Sequence, residues 1–156
     1  MSERKQNKKI DKRAPVIVGV GDLVDRSKED GLNPQELLAE ACEQAIQDSG
    51  IKELSKHIDY VGVVRFTVDF LTATNQSNFQ YSNFPRTLAN KLNVSAKNEV
   101  YAPMGGNSPQ VLLEDALVKI SSGETDCALL SGGEALQTMI AKLKAGMSLD
   151  WLDEPG

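Results

Sequence analysis

The stretch EVYAPMGGNSPQVLLEDALVKISSG, residues 99–123, decides how this chain is read. It predicts a short strand, a glycine turn and a long helix. Gly105 and Gly106 allow a sharp turn where a side chain would clash. Asn107 or Ser108 supplies an N-cap, and Pro109 suits the first helical turn, where its missing N–H would be an orphan anyway. Gly123 is a natural stop. The start of such a helix presents roughly four unpaired N–H groups and about half a positive charge to whatever lies beside Gly106. That is the chemistry of an anion site, or of a site for an activated nucleophile. Gly105, Gly106, Asn107 and Ser108 are therefore the candidate binding residues, whereas no residue in the stretch is assigned a catalytic role. Ser108, with no base in sight, reads as a helix cap.

The helix itself is unusually apolar. Val111, Leu112, Leu113, Ala116, Leu117, Val118 and Ile120 wrap well over half its circumference, and only Glu114, Asp115 and Lys119 mark a polar side. A helix of this kind wants cover on two sides.

Downstream, DCALLS (126–131) reads as a buried strand, and Gly132 and Gly133 turn the chain into a last helix over 134–145. Upstream, PVIVGVG (15–21) is a continuous apolar run without alternation, which predicts a strand buried on both faces of a parallel sheet. Gly19 and Gly21 hint at a dinucleotide fingerprint, but Val24 stands at the third glycine position and no helix follows at once. Residues 22–32 read as a loop. Asn33 and Pro34 open a helix whose Leu37, Leu38, Ala41, Cys42, Ala45 and Ile46 form one stripe and which Gly50 ends. A strand over 58–66 follows. The link 67–83 has no clear period, and its length suggests a functional, partner-bound or mobile segment, with Phe70, Phe79 and Tyr81 interleaved among polar residues. Asn83 caps a short helix from Phe84 and Pro85. The resulting βαβαβαβα order argues for a parallel α/β sheet with right-handed crossovers.

The whole has 156 residues, enough for one domain with a core, and 40% of them are hydrophobic. No run of apolar residues reaches the length of a membrane span. MSERKQNKKIDKR, residues 1–13, lacks the apolar core of a secretory signal and reads as a disordered basic arm. It carries six Lys/Arg against two Asp/Glu, a local +4, so the remaining chain holds −9 of the overall −5. An acidic body argues against nucleic acid as the main partner. Cys42 and Cys127 lie on apolar elements and read as core thiols, which fits a reducing cytoplasm better than a disulfide framework. His57, the single histidine, falls in a polar link, so no metal site is expected.

RAPVIVGVG (13–21), the helix over 34–50 and above all ISSGETDCALLSGGE (120–134) resemble the N-terminal half of the thiolase superfamily across residues 14–146. The last of these is similar to the family's helix, "aGeaD", strand, "GG-E" signature. GGNSPQ (105–110) resembles the branch labelled acetyl-CoA acetyltransferase or sterol-carrier-protein-type thiolase. The resemblance implies an α/β fold with a mostly parallel sheet of about four to five strands and flanking helices, one half of an αβαβα sandwich. It also implies acyl transfer between coenzyme A thioesters, with carbon–carbon bond formation or cleavage and no resident cofactor. In the family a cysteine sits at the start of the central helix, where the dipole lowers its pKa and backbone N–H groups steady the thioester oxyanion. Counting back from Gly123, that cysteine falls on Gly106, and a glycine is no nucleophile. The family's second half, with its histidines and second cysteine, is absent.

Two readings stand. One is a thiolase-like acyl-CoA-binding protein, inactive as this chain alone. The other is a non-catalytic interaction or scaffold subunit. In both, the second apolar face of the 108–122 helix calls for a homo-oligomer or a partner thiolase-like chain, because exposing about four large side chains costs roughly 1.5–3 kcal/mol each. Residues 147–156, with Trp151, read as a tail or a linker cut short.

Overall fold

The computed structural model describes residues 11–67, 69, 81–149 and 151. Most of the basic arm, and most of the 67–83 link with Phe70 and Phe79, lie outside the described residues. Among the described residues the elements in order are α1 (Pro34–Asp48), a 3-10 turn (Leu54–Lys56), β1 (Tyr60–Val64), α2 (Phe84–Lys91), β2 (Asn98–Ala102), α3 (Ser108–Ser122), β3 (Ala128–Ser131) and α4 (Leu136–Lys144). The three strands form a parallel sheet in the order β2-β1-β3. Tyr60 stands opposite Asn98 on one side and Ala128 on the other, and Val63 opposite Tyr101 and Ser131. Parallel pairing needs a crossover between strands, and the helices supply it.

Alternation along β1 sorts its side chains onto two faces. Val61 and Val63 enter a core with Leu38 and Cys42 of α1 and Phe84 and Leu88 of α2. Tyr60 enters a smaller one with Ala102 and with Leu112 and Ala116 of α3. The layers are therefore α1 and α2, then the sheet, then α3. This is the parallel α/β sheet that the element order implies and the half-sandwich that the resemblance implies, with three strands among the described residues where four to five are expected.

Local chemistry sets the boundaries. Asn33 accepts from the Glu36 N–H at 2.9 Å while Glu36 accepts from the Asn33 N–H, a reciprocal cap on α1. Asn83 caps α2 through the Arg86 N–H. β2 stops at Ala102 because Pro103 has no N–H to continue the ladder. Gly123 ends α3 in the left-handed region, φ +80°, as read from the sequence.

The expectation for residues 15–21 is overturned. The run is not a strand, and Val16, Ile17 and Val20 are 74%, 78% and 67% exposed. Both edges of β1 are already taken, by β2 and β3. The run instead crosses α1. A Cβ on Gly19 or Gly21 would collide with the carbonyls of Ala45 and Ala41, and the Val20 N–H donates to Asp48 Oδ2 at 2.9 Å. The Gly-x-Gly spacing serves close contact between backbone and helix, not a nucleotide.

Two aromatic residues also settle differently from the sequence reading. Trp151, expected in a tail, is buried in the larger core. Tyr81 and Phe84, at the end of the long link, pack edge-on against each other and against Phe66 inside the same core. On the outer side of α3, Val111, Leu113, Leu117 and Val118 are 54%, 40%, 38% and 61% exposed, as the width of its apolar surface implies.

Candidate functional site

In a parallel sheet the carboxyl ends of all strands meet at one edge, which is where α/β folds bind ligands. Here β1 delivers Arg65, Phe66 and Thr67 to that edge, β2 delivers the turn 103–107, and β3 delivers Gly132, Gly133 and Glu134. The Thr67 N–H donates to Glu134 Oε1 at 2.6 Å, so the exits of β1 and β3 are tied together. Arg65 donates its N–H to the Ala102 carbonyl at 3.0 Å, which prolongs the ladder toward β2.

The four residues singled out from sequence lie together in the turn into α3. Gly105, Gly106 and Asn107 are exposed, and Ser108 is buried. A Cβ at Gly106 would meet nothing within 4 Å. The capping arrangement differs from the expectation. Asn107 holds the N-cap position without a side-chain cap bond, and Ser108 donates its hydroxyl back to the Pro103 carbonyl at 2.6 Å. The supply of free donors is also smaller than expected. The Ser108 N–H is committed to the Gly105 carbonyl at 3.0 Å, and Pro109 has none. What the turn offers is the positive end of a helix of 15 residues, an open glycine, and a serine whose proton is already given away.

No base reaches this turn from the single histidine. His57 precedes β1 and stands at the amino edge of the sheet, a full strand away, about 16 Å for five residues. The thiols are elsewhere too. Cys127 enters β3 at the amino edge, and Cys42 lies in the core across the sheet from α3. Burial raises the pKa of both, with Asp59 and Asp126 adding to the effect at Cys127, so neither is poised as a thiolate.

Sequence reasoning missed a polar cluster at the same edge. Tyr101 donates its hydroxyl to Asp69 Oδ2 at 3.0 Å, Arg65 Nε lies 3.3 Å from the same oxygen, and the Arg65 guanidinium sits 4.5 Å from the centre of the Tyr101 ring. Asp69 also accepts from the Tyr81 N–H at 3.4 Å. Burial, then the Asp69 charge, pushes the Tyr101 phenol well above its ordinary range, so it stays a proton donor at neutral pH. The spacing of Arg65 and Asp69, four residues apart, was the available signal, but it lay in a stretch read as strand and loop. Among the described residues no group of His, Cys, Asp and Glu is arranged to hold a metal ion.

No family model and no curated protein matches the chain. Among solved structures it is similar to a monomeric SCP2-thiolase-like protein, type 1, from Mycobacterium smegmatis, with 32% identity and a TM-score of 0.63 over 78% of this chain. The match spans 24% of that protein's length. The fold of this chain is therefore thiolase-like.

Proposed function

We propose that this chain is the acyl-CoA-binding N-terminal portion of a thiolase-like protein, with the start of α3 as the docking point for the thioester oxygen. The open turn at Gly106, set on the positive end of α3 at the ligand edge of the sheet, carries this reading. Gly105, Gly106 and Asn107 approach the ligand, and Ser108 holds the turn through Pro103. With glycine where a nucleophile would stand, the chain binds a thioester without forming an acyl-enzyme. The chemistry related to acetyl-CoA acetyltransferases then depends on groups from another chain or segment. Two free cysteines, and no described helix long and apolar enough to cross a membrane, are in keeping with a cytoplasmic setting.

The test is thermal denaturation with acetyl-CoA, comparing the chain with Gly106→Glu. A Cβ at this position meets nothing within 4 Å, and the glutamate places a competing carboxylate beside the docking point. A ligand-dependent rise in Tm that the variant loses is the expected result. No rise in the parent, or an equal rise in the variant, overturns the reading.

A second reading, an interaction subunit, draws on the exposed Val111, Leu113, Leu117 and Val118 of α3. It pairs this surface with a copy of the chain or a partner thiolase-like half. Light scattering checks it: a monomer that stays folded on dilution and does not associate counts against it.

A further inference from the structure

The run from Pro15 to Val24 is held from one side only, by α1. Gly19 and Gly21 press onto the Ala45 and Ala41 carbonyls, so Val18 and Val20, which alternate with them, face away from the helix. Val16 continues that outward stripe at the same spacing of two. Val16, Ile17, Val18, Val20 and Val24 are all exposed. Residues 14–27 contain no turn or bend and take no part in the sheet. From Pro15 to Gly21 only the Val20 N–H has a hydrogen-bond partner, Asp48, among the described residues.

Charge and area decide what such a surface fits. Lys12 and Arg13 outnumber Asp11 at the start of the run, and Asp22 and Asp25 outnumber Arg26 at its end, so it is positive at one end and negative at the other. Laid antiparallel on a second copy, each end meets its opposite; laid parallel, each meets its like. The Arg13 guanidinium lies against Gly123, and Asp25 accepts from the Ser27 and Leu32 N–H groups at 2.8 and 2.6 Å. Lys12 and Asp22, both exposed, are left to carry the charge outward. The five exposed aliphatic side chains present on the order of 500 Å² per chain, and two copies together reach about 1,000 Å², the lower bound of a specific interface. With α1 behind each run, the valine stripes of two copies can meet while the helices stay on the outside.

We propose that a second copy of this chain covers the run. Val16, Val18 and Val20 of the two copies pack face to face, antiparallel across a two-fold axis, with Lys12 of each copy toward Asp22 of the other. A contact of this size makes a reversible dimer with a micromolar Kd, not an obligate one. The run lies on the α1 side of the sheet, so this contact uses neither the outer face of α3 nor the turn at Gly106, and it does not rest on the acyl-CoA reading.

The test is sedimentation equilibrium of the full chain from about 1 to about 200 μM, with circular dichroism to check that each variant is folded. A monomer–dimer equilibrium is expected. It weakens about tenfold or more in the Val16→Lys, Val20→Lys double variant and is unchanged in Val111→Lys, Val118→Lys, which places the charges on α3 instead. Lys12→Glu and Asp22→Lys each weaken it alone, and the two together restore it, because the exchanged charges again meet as opposites. A chain that stays monomeric at the highest concentration overturns the proposal. So does a Val16→Lys, Val20→Lys variant that associates like the parent, an equal loss in the α3 variant, or a Lys12→Glu, Asp22→Lys pair that associates no better than either single variant. Since no coenzyme A ester is used, failure here leaves the acetyl-CoA test untouched, and the converse holds.

Discussion

Tyr60 donates its hydroxyl to Asp115 Oδ2 across 2.8 Å, fastening the central strand to α3. Tyr60 is fully buried at the foot of β1, and Asp115 is one of the few polar residues on the helix. The bond therefore joins the sheet to the helix that carries the candidate site. Tyr60→Phe keeps the ring and removes the bond, and a loss of about 1–2 kcal/mol is expected in urea denaturation. Burial, and then the bond to Asp115, holds the Tyr60 phenol above its ordinary range. The unfolded phenol ionises near about pH 10. Stability is thus intact below that pH and falls as pH rises through the folded value. Tyr101 contributes with the same sign, so Tyr60→Phe flattens the alkaline decline without abolishing it. An unchanged alkaline profile in the variant would mean that the Tyr60 phenol is neither buried nor bonded to Asp115 in solution.

Gly62 predicts a second dependence of the same interface. A Cβ there would stand 2.8 Å from Leu112 Cδ1 and 3.0 Å from Tyr60 Cε1. Leu112 is 3% exposed and has no room to swing away. Gly62→Val is expected to push α3 off the sheet and cost about 1–3 kcal/mol, read as a lower denaturation midpoint. If the variant is as stable as the parent, α3 does not pack as closely as the contact indicates.

How much of this was legible in the residues follows from how locally each feature is determined. α3 and its ends were legible because proline, glycine and an apolar pattern act within a few residues of themselves. β1, β2 and β3 were legible as short apolar runs between turns. The run 15–21 has the same signature, but its place depends on which strands occupy the edges of β1, and composition does not encode that competition. The Ser108 hydroxyl could have capped α3 or bonded backward; only the path of Pro103 decides between them. The Asp69, Tyr101 and Arg65 cluster joins two elements far apart in sequence, so no window of residues contains it.

Gly106→Cys tests the electrostatics of the turn directly. A Cβ at this position meets nothing within 4 Å, so the substitution is expected to be accommodated. The new thiol lies at the positive end of α3, which favours the thiolate. Its pKa is expected below the ordinary value of about 8.5, measured from the pH dependence of iodoacetamide labelling. The native thiols make a built-in reference, since burial raises both. A Gly106→Cys thiol that titrates at or above the ordinary value means that the helix start exerts no useful field on the turn, and the proposed oxyanion site loses its physical basis.

Asp59 gathers the amino ends of all three strands. Its carboxylate accepts from the Asp126 N–H at 3.2 Å and the Cys127 N–H at 3.3 Å, and Lys97 Nζ lies 3.4 Å away. Its own N–H donates to the Cys127 carbonyl at 3.0 Å, and its carbonyl accepts from the N–H groups of Lys97 and Asn98 at 2.9 and 3.0 Å. The residue is 8% exposed, so the N–H groups it serves have little water to turn to. Asp59→Ala strands the two donors at the entry to β3, and a cost of about 2–3 kcal/mol is expected. Asp59→Asn keeps an acceptor oxygen of the same reach and is expected to lose less than half of that. Cys127 reports the mechanism as well as the energy. If the carboxylate clamps the start of β3, its removal frays the strand, and Cys127 reacts faster with a thiol reagent under native conditions while Cys42, deep in the core that Cys127 only borders, does not. Equal labelling rates for the two cysteines in Asp59→Ala and the parent would show that β3 is held by pairing with β1 alone.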